Sequence, residues 1–407
     1  MNEINENLSK RWIYMIVGIL AMLFAGILYA WSILKAPLAE QFGWSPSALA
    51  LNFTLAMTFF CIGGLFGAQL SKHFGHRIAL AMAGALSALG FILTALLNNV
   101  SVWILYITYG VLAGLGIGIA YNVVIATVSA WFPDKKGLCS GCLMMGFGAS
   151  ALLLGNAADV MFKSSMGWRA TYIAMGIAIF VVLSLAGLLL KNADSSVTFP
   201  KKSTLKRVKE ENFEKSDFTS KQMLCRPSFW MAFVCISLLA AVGSSVISFA
   251  KDLALSVNAS EALAVSLVGV LSVCNGIGRI FTGAVFDVLG RRRTMLCANM
   301  LTICAAVVTL IAVSVNSLVL CIVGLCLTGM SYGSCPTITA AFTSSFFGMK
   351  NFSNNMALMT FTVMVGSFIA TASNKVLEAT GGYTAAFVML LALTFVALLL
   401  NIFIRRP

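Results

Sequence analysis

Arg279 is the residue whose type and position point most clearly to chemistry. It lies inside a long apolar run, eight residues before Asp287, and the run ends at the basic triplet Arg291–Arg293. At about 1.5 Å per residue, Arg279 lies roughly 12 Å from that end, near the middle of a hydrocarbon core about 30 Å thick. Inserting an arginine there costs at least ~2.5–3.5 kcal/mol. We therefore expect Arg279 to face a water-filled path or an anionic partner.

No acidic side chain is predicted at the depth of Arg279. The 14 Asp and Glu residues fall near the ends of apolar runs, in an outer loop, in the N-terminal stretch, or in a polar segment in the middle of the chain. The counter-ion of Arg279 is therefore expected to come from outside the protein, and an anionic ligand is the natural candidate. A buried ion pair or an arginine that reaches toward the membrane surface is the structural alternative.

Several uncharged polar residues share the depth of Arg279. Asn275 lies one helical turn before it and could donate a hydrogen bond alongside it, although an amide that joins two helices is an equal alternative. The other candidates for hydrogen bonding to a small acid are Tyr29, Tyr121, Asn122 and Tyr332. For each tyrosine, packing between helices is the alternative.

The composition identifies a polytopic helical membrane protein. Of 407 residues, 59% are hydrophobic and 10% are charged, and the mean hydropathy is +0.94. Twelve apolar runs predict twelve transmembrane helices. The net charge of +13 resides in short loops, so we expect no nucleic-acid partner. Most cysteines lie in apolar runs, and the pair Cys139 and Cys142 stands without a second pair, so neither a metal site nor any other cofactor is expected.

The polar segment from residue 191 to residue 226 divides the chain. It predicts a linker between an N-terminal half of six helices, residues 1–190, and a C-terminal half of six helices, residues 227–407. An even number of spans places both termini on one side. Most of the 27 Lys and Arg residues fall on that side, which is therefore predicted to be cytoplasmic.

The two halves match at one constant offset along the chain. Gly75 falls on Gly290, Gly114 on Gly329, and Lys135 on Lys350. Each match alone is weak, but a single offset for all of them indicates a duplicated unit of six spans. Two parallel six-helix repeats around a central path are the architecture of major facilitator transporters.

A loop motif supports the same architecture. The second half carries the pattern G-x-x-x-D-x-x-G-R-R at Gly283, Asp287, Gly290, Arg291 and Arg292. The first half has a degraded copy at Lys72, Gly75 and Arg77, in which Lys72 stands at the position of the Asp. An acid at a helix end and arginines in a tight turn can latch neighbouring helices in one state and release them in another. Simple marking of topology by positive charge is the alternative.

Four stretches carry a resemblance to a narrower family. They are LYAWSIL at residues 28–34, WFPDKKG at 131–137, NGIGR at 275–279 and FGMKNF at 347–352. Within the major facilitator superfamily, the chain resembles the oxalate/formate antiporter family and its monocarboxylate-porter relatives. The resemblance implies a secondary transporter of a small organic anion, not an enzyme, with the first, fourth, seventh and tenth helices lining the path.

The eleventh span departs from the family pattern. Oxalate-exchanging members carry a second cation there, a Lys, whereas residues 358–364 contain no charge. Thr362 or Thr360 could take the vacated position as a neutral donor. Two cations suit a dianion and one suits a monoanion, so formate, lactate, pyruvate or a similar monocarboxylate is expected, with oxalate as the alternative.

The positions of the charged residues also bear on how transport is coupled and on which other functions are possible. A proton could travel with the acid or through Asp252 or Glu261, Lys251 could form an outer gate with Asp252, and anion exchange would need no titrating group. Three other functions are disfavoured. An intramembrane enzyme would need acidic, His or paired nucleophilic side chains at membrane depth, and none is predicted there. A receptor would need a large soluble domain, and an exporter of cations would favour buried acids. We expect a monomer in the cell membrane.

Overall fold

The computed structural model describes residues 2–98, 101–193 and 217–404. Within these ranges the chain is helical and contains no strand, and ten helices are long and apolar enough to cross a membrane. The helices are α1 (Asn2–Ala25), a 3-10 turn (Gly26–Ala30), α2 (Trp31–Phe42), α3 (Pro46–Ala95), α4 (Val102–Leu105), a π-helical segment (Tyr106–Ala113), α5 (Gly114–Ser129), α6 (Lys136–Ser150), a second π-helical segment (Ala151–Gly155), α7 (Asn156–Lys163), α8 (Gly167–Leu189), α9 (Ser220–Leu224), α10 (Pro227–Ser256), α11 (Glu261–Ser314), α12 (Leu318–Phe347), α13 (Phe352–Thr380) and α14 (Tyr383–Phe403).

Two of these helices are broken near their middle. The 50-residue α3 has non-helical backbone at Gly75 (φ 80°, ψ 164°), and the 54-residue α11 has it at Gly290 (φ 73°, ψ 177°). Glycine adopts a positive φ without steric cost, which explains why both breaks fall on glycine. At about 1.5 Å per residue, an unbroken helix of either length would exceed roughly 70 Å, more than twice a hydrocarbon core of about 30 Å. Each of the two helices therefore consists of two apolar segments on either side of a basic turn.

The offset that relates the two halves recurs in the backbone. Gly43 and Asn258 are related by the same offset as Gly75 and Gly290, and both have φ 63°. Two residues later in each copy, Ser45 and Ser260 cap the following helix by accepting a hydrogen bond from the backbone N–H three residues on. The internal similarity in sequence thus extends to matching helix starts and helix breaks.

Buried apolar side chains form separate cores in the two parts of the chain. The largest cluster is built mainly from residues 14–190, and two further clusters lie within residues 223–404. This division agrees with the predicted domains, residues 1–190 and 227–407, whose boundaries stay a prediction. Most of the predicted linker, residues 194–216, lies outside the described residues.

One end of the bundle gathers the loop charges, and we call it the basic end. Arg11 at the start of the first apolar helix donates to Asp134 (2.9 Å). Asp287 contacts the first residues of α6, shortly after Asp134 in the chain. Arg291 donates to the carbonyl oxygen of Ile404 (3.2 Å), beyond the last helix. The first and last apolar helices therefore have their outer termini at the same end of the bundle.

Candidate functional site

Arg279 is one of the most deeply buried large side chains of the described chain. It lies on α11, and only 1% of its surface is exposed. Its Nε donates to Oδ1 of Asn275 (2.8 Å), one turn earlier on the same helix. Its Nη1 donates to the carbonyl oxygen of Met144 on α6. The guanidinium thus lies where α11 of the C-terminal part meets α6 of the N-terminal part.

The second terminal nitrogen of Arg279 has no acceptor. Nη2 is buried and forms no hydrogen bond with the described residues. A guanidinium has five N–H donors, and the two bonds to Asn275 and Met144 leave both donors of Nη2 unused. A buried donor without a partner costs about 1–3 kcal/mol, and more when it is charged. The site is therefore electrostatically incomplete on one side of the guanidinium.

Glycines on α6 make room for Arg279. A Cβ on Gly148 would lie 3.1 Å from Cζ of Arg279, and a Cβ on Gly141 would lie 2.7 Å from its carbonyl oxygen. Larger residues at these positions would push α6 away from α11. The glycine-rich stretch, which the sequence analysis did not include among the candidate residues, therefore sets how closely the two helices approach around the site.

Two of the predicted tyrosines lie beside the guanidinium. Cζ of Arg279 is 5.9 Å from the ring centre of Tyr29, in the range of a cation–π contact. The hydroxyl oxygens of Tyr29 and Tyr332 are 3.4 Å apart, so the pair joins the 3-10 turn after α1 to α12. The structure thus gathers Arg279, Asn275, Tyr29 and Tyr332 in one place, and their binding of a substrate stays a prediction.

Tyr121 joins this group from α5. Its hydroxyl donates to Sδ of Met144 (3.1 Å), and its ring packs against Phe60 and Phe147, with ring centres 4.9 and 5.2 Å away. It is close enough to Arg279 for the two groups to interact electrostatically. Met144 and Phe147, both on α6, were not predicted as site residues.

Asn122 and Thr362 are placed differently. The Asn122 amide donates to the carbonyl oxygen of Ser353 (3.1 Å) and accepts from its hydroxyl (2.6 Å), so it joins α5 to the start of α13 instead of binding Arg279. Thr362 is buried on α13, and the neighbouring Thr360 donates to a carbonyl of its own helix. Among the described residues, the guanidinium of Arg279 forms hydrogen bonds with Asn275 and Met144 and with neither threonine.

Asp287 of the second loop motif contacts the start of α6, and its role as a releasable latch stays a prediction. The two oxygens of Asp287 accept from the backbone N–H groups of Gly137 (3.2 Å) and Leu138 (3.0 Å) at the start of α6. A carboxylate is stabilised at a helix N-terminus, where free N–H groups and the helix dipole converge. Gly283 and Gly137 let the two backbones touch, because a Cβ on either would overlap the carbonyl of the other.

The arginines of the loop motifs have different surroundings. Arg291 stacks on the ring of Phe346, with Cζ 4.9 Å from the ring centre, while Arg292 is exposed. In the first copy of the motif, Lys72 and Arg77 are both exposed, and Gly75 provides the break in α3. The first copy therefore does not reproduce the carboxylate latch of the second.

At the opposite end of the bundle, Lys251 and Asp252 are exposed near the end of α10. Asp252 interacts electrostatically with Lys35 on α2, so the predicted outer-gate acid has a described cation across the two parts of the chain. The predicted outer gate paired Asp252 with Lys251 and did not include Lys35. The side chain of Glu261 lies outside the described part of the structure. No group of metal-ligating side chains occurs among the described residues.

Comparison with known proteins identifies the family. The sequence model described as Major Facilitator Superfamily matches residues 14–250 and 233–407. An uncharacterized MFS-type transporter of Escherichia coli (strain K12), YhjX, is 26% identical over 359 residues, which are 88% of this chain and 86% of that protein.

Two relatives carry substrate names. The oxalate:formate antiporter of Oxalobacter formigenes is 28% identical over 292 residues, covering 71% of this chain and 66% of its own. Monocarboxylate transporter 12 of Homo sapiens is 24% identical over 355 residues, covering 79% of this chain and 66% of its own.

A solved structure supports the fold. The proton:xylose symporter XylE superposes with a TM-score of 0.72 at 14% sequence identity, over 98% of this chain and 97% of the other. The resemblance stated from the motifs is thereby confirmed, and the fold and the relatives are those of transporters, not enzymes. The chain belongs to the major facilitator superfamily, and its relatives include an oxalate:formate antiporter and monocarboxylate transporters.

Proposed function

We propose that this transporter carries a small monocarboxylate by alternating access, with Arg279 as the anchor for the carboxylate. The observation that carries the proposal is the buried Nη2 of Arg279, which has no acceptor among the described residues. A carboxylate is the acceptor that best fits a guanidinium, because its two oxygens match adjacent N–H groups. Binding would remove the penalty of the unpaired donor and supply the missing negative charge.

The surroundings favour a short anion. The guanidinium has the Tyr29 ring, the Met144 carbonyl and the α6 backbone at Gly148 as neighbours, and we infer that a short acid fits beside them more easily than a bulky one. The hydroxyls of Tyr29 and Tyr332 can donate to the second oxygen of a bound acid or to a 2-oxo or 2-hydroxy group. Formate, lactate and pyruvate fit this description.

Oxalate is the alternative, since one relative is named an oxalate:formate antiporter. The charge of the site disfavours the oxalate dianion. Within the described residues of α13, the stretch 358–364 is uncharged, and the buried Thr360 and Thr362 offer only neutral donors. One guanidinium balances one carboxylate, and a second buried carboxylate would lack a counter-ion.

The proposed membrane topology rests on the breaks in α3 and α11 and on the distribution of Lys and Arg residues. Dividing α3 at Gly75 and α11 at Gly290 turns the ten long helices into twelve spans, six in each predicted half. The excess of Lys and Arg at the basic end favours a cytoplasmic location for it and for both termini. We propose a monomer in the cell membrane, coupled to proton symport or to exchange with a second anion.

The test is uptake and counterflow in proteoliposomes with labelled formate, lactate, pyruvate and oxalate at two pH values. Wild type is compared with Arg279→Gln, Arg279→Lys and the control Arg293→Gln, which alters an exposed arginine on the same helix. Arg279→Gln removes the charge and is expected to abolish transport. Arg279→Lys keeps the charge without the fork and is expected to raise KM at least about tenfold, the equivalent of about 1.4 kcal/mol.

Two results would overturn the proposal. Normal transport by a folded Arg279→Gln protein would make the arginine structural. A preference for oxalate over every monocarboxylate would refute the argument from the uncharged α13. Dependence of uptake on an imposed pH gradient would indicate symport, and dependence on an internal anion would indicate exchange.

A further inference from the structure

A polar cavity lies at the basic end of the bundle, apart from the Arg279 site. Its volume is about 330 Å³. One wall comes from α3 and α5, with Lys72 and Thr127, and the other from the start of α13 and the loop before it, with Lys350 and Asn354. Among the described residues that line it, no side chain is acidic. The cavity therefore carries two positive charges, one from each part of the chain.

Lys72 stands where the motif of the second half has its carboxylate. The offset between the halves relates Lys72 to Asp287, and it relates the turn that receives Asp287, at Gly137, to the turn at Phe352 that opens α13. In the second copy a carboxylate meets backbone N–H groups across the two parts of the chain. In the first copy a cation, Lys72, lines the same cavity as the equivalent turn and as a second cation, Lys350.

The N–H groups of that turn already have an acceptor. Oδ1 of Asp217 accepts from the backbone N–H groups of Met349 (2.9 Å) and Lys350 (3.1 Å). Asp217 lies just before α9, and Phe218 beside it donates its backbone N–H to the carbonyl oxygen of Phe347. This carboxylate, near the end of the predicted linker, therefore secures the turn and does not join it to α3.

Within the described residues, the hydrogen bonds between the two walls of the cavity all come from uncharged groups. Gln69 donates to Asn354 (3.4 Å), and Asn122 and Ser353 exchange two hydrogen bonds. These bonds hold Lys72 and Lys350 on opposite sides of one cavity. Both lysines are exposed, and neither forms an ion pair with a described residue. Like charges that face each other oppose closure of this end.

We propose that an anionic group, a carboxylate or a phosphate, binds between Lys72 and Lys350 and holds the basic end closed. The bound anion would replace a repulsion between two cations by two attractive contacts. The bound anion would join α3 to α13 as Asp287 joins α11 to α6. Unlike Asp287, its occupancy would depend on the anion concentration. This ligand is separate from the substrate at Arg279, so the basic end would respond to anions that are not transported.

Cys61 provides a readout that needs no new label. It is buried on α3, and its Sγ donates to the carbonyl oxygen of Thr360 on α13 (3.5 Å), across the interface that would open. Separation of these helices exposes the thiol to a water-soluble methanethiosulfonate reagent. The rate is measured by peptide mass spectrometry on the purified full-length chain in nanodiscs, with the exposed Cys225 as an internal reference.

Inorganic phosphate at constant ionic strength is the first probe. In phosphatidylcholine nanodiscs, we expect it to slow labelling of Cys61 about threefold to tenfold, the range of two exposed ionic contacts. Lys72→Gln and Lys350→Gln should each remove the effect, while the control Lys375→Gln, an exposed lysine of α13, should keep it. Lys72→Asp should slow labelling without phosphate, because the two walls of the cavity then carry opposite charges instead of like charges.

Lipid composition separates the two sources of the anionic group. Protection that appears in phosphatidylglycerol nanodiscs without added phosphate assigns the site to a lipid headgroup. Protection that requires phosphate in either lipid assigns it to a soluble anion. The proposal is overturned if neither probe slows labelling of Cys61 in wild type, or if Lys72→Gln and Lys350→Gln respond as wild type does. Neither result bears on the Arg279 site.

Discussion

Replacing Gly148 by alanine tests whether Arg279 must keep its observed position to bind substrate. A Cβ at residue 148 would lie 3.1 Å from Cζ of Arg279 and 3.3 Å from Nε and Nη1. Carbon contacts are most favourable near about 3.5–4.0 Å, so the guanidinium or α6 must shift by a few tenths of an ångström. The charge and the depth of Arg279 remain, so the substitution changes geometry alone.

The size of the effect follows from the hydrogen bonds at stake. A hydrogen bond to a charged group contributes about 1.5–3 kcal/mol. A shift of a few tenths of an ångström weakens such a bond without removing it, so roughly half of that contribution is lost. We expect KM for the transported acid to rise about threefold to tenfold. The maximal rate should change less, because the arginine still neutralises the bound carboxylate.

Counterflow in proteoliposomes over a range of substrate concentrations measures this effect. Gly269→Ala is the matched control, since a Cβ there meets only Cδ1 of Leu152 at 3.5 Å, an ordinary contact. An unchanged KM in a folded Gly148→Ala protein would show that the close approach of α6 does not position the anchor. An equal change in both variants would assign the effect to helix packing in general.

Two further predictions concern the contacts at the basic end. Arg11→Gln leaves Asp134 nearly buried without its cation, so the unfolding free energy should fall by about 3–5 kcal/mol, with partial recovery in a variant that also carries Asp134→Asn. Thermal unfolding checks this, and a further loss in the double variant would contradict it. Asp287→Asn weakens two hydrogen bonds to Gly137 and Leu138 by about 1–2 kcal/mol in total. Amide hydrogen exchange at the start of α6 should then accelerate about tenfold, and an unchanged rate would refute the latch.

The sequence was most informative where one residue type has few physical solutions. A charge inside an apolar run must be buried with a partner or a ligand, and Arg279 is indeed buried at the junction of α6 and α11. Glycine within a basic turn must allow a positive φ, and Gly75 and Gly290 both have one. An acid at the end of an apolar run can accept from a neighbouring helix start, as Asp287 does.

The sequence was less informative about which way a side chain faces. Tyr121 and Asn122 were predicted together, but consecutive residues of a helix point about 100° apart. They therefore cannot both face one path: Tyr121 faces Met144, and Asn122 faces Ser353. A single polar pair on an otherwise apolar helix gives no periodicity from which to decide this in advance.

Hydrogen-bond partners on the backbone could not be predicted from the sequence either. Arg279 donates to the carbonyl of Met144, an interaction that any residue at position 144 could provide, so the side-chain type carries no signal. The glycines of α6 allow close packing, as the contacts of Gly141 and Gly148 show. Their partner, α11, could not be identified, because small residues specify a close approach without specifying what approaches.

The helices α6 and α11 connect Arg279, the proposed substrate anchor, with the Asp287 contact at the basic end. Asp287 and Arg279 lie eight residues apart on α11, about 12 Å along the axis, and both bond to backbone groups of α6. Between these bonds the two backbones touch at Gly137, Gly141 and Gly283, where no Cβ intervenes. A carboxylate that engages Nη2 competes with the Met144 carbonyl for the orientation of the same planar guanidinium. If Arg279 anchors the substrate as proposed, any rotation of the guanidinium acts on the helix contact that Asp287 stabilises, and binding and closure would share one interface.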